Sequence, residues 1–115
     1  MPSKGRAGED AAVSYLEGKG LKVLEKNFRS RMGEIDIVAL DGDTLIFVEV
    51  KSWSYYGIET LEYALDGKKR HKIIETSKYF LSLHREYRYM SIRYDVIFLS
   101  SGGITHLASA FTELV

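Results

Sequence analysis

The chain contains no cysteine, which excludes a disulfide framework and any thiolate zinc site. Its three histidines, His71, His84 and His106, are scattered and form no metal-ligand spacing. Proline occurs once, at Pro2, so nothing punctuates the interior as a linker would. Neither sign of charge dominates, because 16 lysines and arginines balance 16 aspartates and glutamates. That balance counts against a strong nonspecific nucleic-acid binder, whose affinity rests on neutralising phosphates. A local basic face survives it, since the distribution of charge matters more than the sum. No apolar stretch approaches the roughly 18 residues of a membrane span, so no membrane partner is expected. The opening MPSKGRAGED lacks the apolar run of a secretory signal. The missing cysteine suits a reducing cytoplasm, the expected setting, as it suits any compartment. No Ser-His-Asp arrangement and no phosphate-binding loop is present.

What remains is an ordinary globular composition, 45% hydrophobic and 28% charged over 115 residues. One domain spanning 1–115 is the expectation, long enough to bury a single core. Residues 6–18 read as a helix, with Ala12, Val13 and Leu16 on one side and Gly18 and Gly20 at its end. LKVLEKNF (21–28) reads as a strand, followed by a polar turn over 29–32. IDIVAL (35–40) and TLIFVEV (44–50) are β-rich runs separated by Asp41-Gly42-Asp43, a strong hairpin signal. From Asp66 to about Arg85, Ile73, Ile74, Ser77, Phe80, Leu81 and His84 form the stripe of an amphipathic helix. SIRYDVIFL (91–99) is a further strand, and ITHL (104–107) is a short partner across Gly102-Gly103. The order is α-β-β-β-α-β with a possible extra short strand. The long second helix makes a crossover, so an α/β fold with a mixed central sheet flanked by helices is expected.

The hairpin carries the chemistry. Side chains alternate along a strand, so Glu34, Asp36 and Val38 share one face, as do Phe47, Glu49 and Lys51. A two-residue turn at Asp41-Gly42 leaves Asp36 diagonal to Glu49, whereas a turn at Gly42-Asp43 puts the two directly opposite. Both registers bring the carboxylates together; a three-residue turn breaks the parity unless a bulge restores it. Opposed like charges destabilise a sheet, and the strand around Glu49 is otherwise apolar. Such carboxylates require a cation, a proton or a hydrogen-bonding partner. Oxygen donors without imidazole or thiolate suit Mg²⁺ or Mn²⁺. Lys51, on the same face, offers an ammonium to activate water or to stabilise charge on a phosphate. The plainer alternative is a salt bridge from Asp36 or Glu49 to Lys51 or an arginine, since ion-pair networks also cluster charges.

Three segments add a resemblance: GRAGED (5–10), GEIDIVA (33–39) and VEVKSW (48–53). Together they resemble the YraN-like family of small bacterial proteins, described as uncharacterised or as candidate endonucleases. That family is similar to the PD-(D/E)xK, restriction-endonuclease-like superfamily and to archaeal Holliday-junction resolvases. The likeness continues through Lys69, KIIETSKYFL (72–81), RYDVIF (93–98) and ITHLASAF (104–111). It implies a restriction-endonuclease-like fold in which Asp36 and Glu49 are the two motif acids and Lys51 the motif lysine. Glu9 matches the N-terminal-helix glutamate of resolvase-like members. The proline that names the motif is replaced by Ile35, and the family's Ala-Ala in the second helix by Thr76-Ser77.

The resemblance implies metal-dependent hydrolysis of DNA, with Asp36, Glu49, the backbone carbonyl of Val50 and Glu9 holding Mg²⁺ or Mn²⁺. Glu9 also suits the plain role of an acid in a helix's first turns, and Glu34 that of an outer partner or a surface charge. Lys69, Arg70, Lys72 and Arg31, with Lys68, His71, Arg29, Lys4 and Arg6, are candidate phosphate contacts; a solvated basic face is the alternative. Trp53 reads as packing, while Tyr55 and Tyr56 suit either base stacking or packing. Branched or single-stranded DNA is the expected partner. Junction cutting requires two sites and implies a homodimer, whose surface the sequence does not mark. The rival expectation is a nucleic-acid-binding module that keeps the fold without catalysis. A third is a protein-interaction subunit with aromatic surface at Tyr55, Tyr56, Tyr87 and Tyr89.

Overall fold

The computed structural model describes residues 3–52 and 66–112, with side chains from Gly8 onward. Trp53, Tyr55 and Tyr56, and the side chains of Lys4 and Arg6, lie outside the described residues. The elements are α1 (Ser3–Gly18), β1 (Lys22–Arg29), β2 (Glu34–Asp41), β3 (Thr44–Ser52), α2 (Gly67–Leu83), a 3₁₀ turn (Arg85–Tyr87), β4 (Ser91–Ser100) and β5 (Gly103–Phe111). The strands lie in one sheet in sequence order. Every neighbouring pair is antiparallel except β3 and β4, which are parallel and joined by the α2 crossover. This is the mixed sheet flanked by helices that the sequence pattern predicts.

Each helix covers one face. On α1, Ala12 and Leu16 pack with Leu21, Ile37, Ala39, Ile46, Val48 and Ile97. Its end is a Schellman cap: Gly20, at φ 91°, donates to the Glu17 carbonyl, and Leu21 donates to that of Leu16. On the other face, α2 sets Ile73, Ile74 and Phe80 against Phe28, Phe47, Tyr94, Val96 and Phe98. Its N-terminus is capped by the Asp66 carboxylate, which accepts from the Lys69 amide at 3.0 Å. Thr76 and Ser77 are buried in that interface but satisfied: Thr76 donates to the Lys72 carbonyl, and Ser77 to that of Ile74 while also pairing with the Tyr94 hydroxyl. Truncating Phe80, which packs edge-on to both Phe28 and Phe47, is expected to cost about 3–5 kcal/mol.

The β2–β3 hairpin turns at Gly42-Asp43, with Asp41 paired to Thr44 and Ile37 to Val48. Gly42, at φ 61°, supplies the positive φ that a II′ turn requires at its first central position. Of the two registers open in the sequence, this is the one that counts position 36 directly opposite 49 rather than diagonal to it. The last strand differs from expectation. Instead of a short ITHL partner, β5 runs nine residues to Phe111, with a register shift opposite Tyr94 and Val96. Ser109 at φ 53° breaks the alternation that a sequence pattern would register.

Candidate functional site

Asp36 sits at a fault in the sheet. Ile37 and Ala39 point to the α1 side, while Ile35, two residues back from Ile37, packs on the α2 side. Strict alternation would put all three on one face. The neighbouring strand makes the same switch. Lys26, paired with Ile37, reaches Asp10 of α1, whereas Phe28, paired with Ile35, joins the α2 core. Between them lies Asn27 at φ 54°, one of the few residue types that tolerates the left-handed region. The shared face of Glu34, Asp36 and Val38 expected from alternation is therefore lost: Val38 belongs to the α2 core, and Glu34 and Asp36 turn to Glu9 of α1.

At this fault the hairpin pairing stops at Ile37–Val48. The Asp36 side chain takes over, its Oδ2 accepting the Val50 amide at 2.7 Å. Carboxylate oxygens of Glu9, Glu34 and Asp36 lie within 4.8 Å of one another. Burial raises the Asp36 carboxyl to about 8, reinforced by the charge of Glu49, which also shares a hydrogen bond with it, and by Glu9; the Val50 amide pulls the other way. Glu49 thus adjoins Asp36, as the hairpin predicts, but its Oε2 is turned to the Lys51 ammonium at 3.0 Å. Burial works to depress Lys51, but the charge and hydrogen bond of Glu49, with smaller contributions from Lys69 and Asp36, together hold the ammonium above its ordinary value. Lys69 reaches in from α2 to the Lys51 side chain, and this contact, with some burial, lowers its own pKa.

Four carboxylates converge here without imidazole or thiolate, a donor set that fits a hard divalent cation. Glu34, read from the sequence as an outer partner or a surface charge, is the most exposed member of its trio, with a carboxylate oxygen within 4.8 Å of those of Glu9 and Asp36. Alternation already places it on the face of Asp36; the fault turns both to the α1 side, where Glu9 lies.

A basic rim borders the acids. The β1–β2 turn is pinned to α2 by Ser30, whose hydroxyl lies 3.1 Å from that of Thr76. Gly33 passes so close that a Cβ there would meet Lys72 Cβ at 3.3 Å. This contact sets the turn that carries Arg31 against α2 at Lys72, and both of these side chains are exposed. Arg29 approaches Glu34 at 3.7 Å. Arg70 lies on another flank of α2, where with His71 and Ile74 it lines a hollow against Ala110 and Phe111.

A second charged centre, which sequence reasoning passes over, surrounds Asp95 on the α1 side of β4. This fully buried carboxylate accepts Arg93 Nε and Nη2, each at 3.0 Å, the Ser109 amide at 3.0 Å and His106 Nε2 at 2.7 Å. His106 Nδ1 meets the Tyr15 hydroxyl at 3.1 Å. The available signal was an aspartate in the middle of the apolar run RYDVIF, which demands partners. His84 stacks on Phe80 with ring centroids 4.2 Å apart.

The uncharacterised protein family UPF0102 matches residues 8–99, a span that includes Glu9, Glu34, Asp36, Glu49, Lys51 and Asp95. A UPF0102 protein of Persephonella marina is 44% identical over 108 residues, covering 94% of this chain and 92% of its own. One from Treponema denticola is 41% identical, covering 98% of each chain. One from Clostridioides difficile is 44% identical, covering 94% of this chain and 96% of its own. The chain therefore belongs to UPF0102, the YraN-like family that its GRAGED, GEIDIVA and VEVKSW segments resemble.

Proposed function

We propose that the Asp36 centre is the active site of a metal-dependent nuclease that hydrolyses phosphodiester bonds in DNA. The observation that carries this reading is the half-buried Asp36 carboxylate, fixed by the Val50 amide, crowded by other carboxylates and adjoining a lysine pair. Glu9, Glu34, Asp36 and Glu49, with the Val50 carbonyl, would hold Mg²⁺ or Mn²⁺. Such an ion supplies Lewis acidity to a phosphate oxygen and lowers the pKa of bound water. Asp36 contributes a carboxylate whose orientation is set by the Val50 amide before any ligand arrives. Lys51 contributes positive charge beside the scissile phosphate, where it stabilises the charge that builds as the water oxygen bonds to phosphorus and the ester P–O bond breaks. Lys69, Lys72 and Arg31 hold flanking phosphates, which position the backbone without reading sequence. Cytoplasmic DNA with branches or single-stranded stretches is the substrate class in this reading.

The direct test is cleavage of single-stranded, duplex and branched DNA with Mg²⁺ or Mn²⁺. Lys51→Ala should lower the rate by roughly 100-fold or more, as loss of a transition-state charge partner does, and Asp36→Asn should abolish cutting. If both variants cut as fast as the wild type, the assignment is wrong. A second reading has its own support: Lys51 is engaged by Glu49 at 3.0 Å, as in a structural ion pair. Salt-dependent DNA binding with no cleavage under either metal would favour that non-catalytic binding module.

A further inference from the structure

Two polar ties hold the helix that carries Glu9 to the sheet: the exposed Asp10–Lys26 pair at 3.3 Å and a partly buried chain of hydrogen bonds running from Tyr15 through His106 to Asp95. A carboxylate only accepts, so His106 Nε2 carries the hydrogen given to Asp95. The other ring nitrogen, Nδ1, meets the Tyr15 hydroxyl at 3.1 Å and completes the link. The Tyr15 oxygen in turn accepts from Lys19 Nζ at 3.3 Å. The far end of this relay is immobile, because Asp95 is fully buried and held by Arg93 and the Ser109 amide.

The other α1 contacts are of a different kind: the Asp10–Lys26 pair is largely exposed and holds its geometry weakly. Ala12 and Leu16 contribute apolar burial, which is non-directional and does little to fix where a helix sits along a sheet. Gly8 removes a side-chain stop, since the helix passes Leu99 where a Cβ would come within 2.9 Å of its Cδ1. Glu9, the next residue, must nevertheless meet Glu34 and Asp36 within 4.8 Å.

We propose that Tyr15 and His106 are positioning residues for the carboxylate centre: the relay anchored on Asp95 sets the seat of α1 and so places Glu9 beside Glu34 and Asp36. The inference rests on the cation-binding reading of that centre. The hydrogen bonds of Tyr15 and His106 go to each other, to Lys19 and to Asp95, not to the carboxylates of the centre, so both act through the helix.

Two variants remove the same link from opposite ends. Tyr15→Phe deletes the hydroxyl. His106→Gln keeps an N–H for Asp95 but loses the ring Nδ1 that meets Tyr15. Each is expected to weaken Mn²⁺ binding by roughly fivefold, the worth of one ordinary hydrogen bond, and the double variant no further. In a Glu9→Gln background, Tyr15→Phe should leave Mn²⁺ affinity unchanged, because the group it positions no longer ligates. A merely structural role would weaken binding equally in both backgrounds, and that result overturns the proposal, as does an unchanged affinity in Tyr15→Phe alone. Hydrogen exchange in metal-free protein gives an independent reading: α1 amides should exchange faster in both variants while α2 does not change. If the wild type binds no Mn²⁺, the cation reading falls by itself. The clamp is then decided by exchange, with faster α1 amides supporting it and unchanged ones overturning it.

Discussion

Asp36 on β2 and Asp95 on β4 occupy matching positions in the sheet's architecture. Each uses its side chain to accept a backbone amide at a break in the ladder, from Val50 at 2.7 Å and from Ser109 at 3.0 Å. Beside each lies a residue with positive φ, Asn27 opposite Asp36 and Ser109 opposite Asp95. Their surroundings are opposite. Asp95 meets a guanidinium and an imidazole, whereas Asp36 meets Glu9, Glu34 and Glu49. Geometry at a ladder break therefore does not assign a role; the charge around it does. A carboxylate with all its donors in place is a finished structural device. One half-buried among other carboxylates is complete only with a proton or a cation.

The contrast yields substitutions of opposite sign. Asp95→Ala strands Arg93, His106 and the Ser109 amide, and should destabilise the fold by about 3–5 kcal/mol in urea denaturation. A loss below about 1 kcal/mol would show that water replaces the buried carboxylate easily.

At Asp36 the proton competes with the cation. Below the raised value of about 8, Mn²⁺ must displace a proton, so its affinity should climb by up to about tenfold per pH unit between about pH 6 and about pH 8 and then level off. Calorimetry in buffers of different ionisation enthalpy should register the released proton. A flat profile would mean that Asp36 is already ionised.

The same group sets a stability trend in metal-free protein. Its carboxyl is raised in the fold from 3.8 to about 8, so the folded state holds the proton more tightly than the unfolded chain. The stabilisation is full below about pH 4 and lost as pH rises through about 8. Asp36→Asn keeps an acceptor for the Val50 amide without the charge. At about pH 9 it should be more stable than the wild type by at least about 1 kcal/mol, close to the worth of one pKa unit. A destabilised Asp36→Asn would place Asp36 with Asp95 as a structural group. The smallest effect belongs to the rim: Arg29→Gln breaks an exposed pair with Glu34 and should change stability by less than about 0.5 kcal/mol.

Much of the fold is legible in the sequence, because hydrophobic periodicity and turn chemistry are local. Asp41-Gly42-Asp43 marks the hairpin, Asp66 the start of α2, and the paired glycines the end of α1. Asp36, Glu49 and Lys51 stand out for a physical reason: charged groups at the end of apolar strands need explaining. The departures lie where backbone conformation overrides alternation. The fault at Asn27, with φ 54°, turns Glu34 and Asp36 together to the α1 side, and β5 runs past its apolar stretch through the irregularity at Ser109, with φ 53°. The Tyr15–His106–Asp95 relay escapes notice because its members are distant in sequence and only the packed sheet brings them together.

The most direct test of the acidic centre is a calorimetric titration of Mn²⁺ into the metal-free wild type and Asp36→Asn, above the pKa of about 8. Saturable binding in the wild type, lost in the variant while its fold is retained, is the expected result. No binding to the wild type, or equal binding to both, would contradict the assignment of Asp36 as the centre of a divalent-cation site.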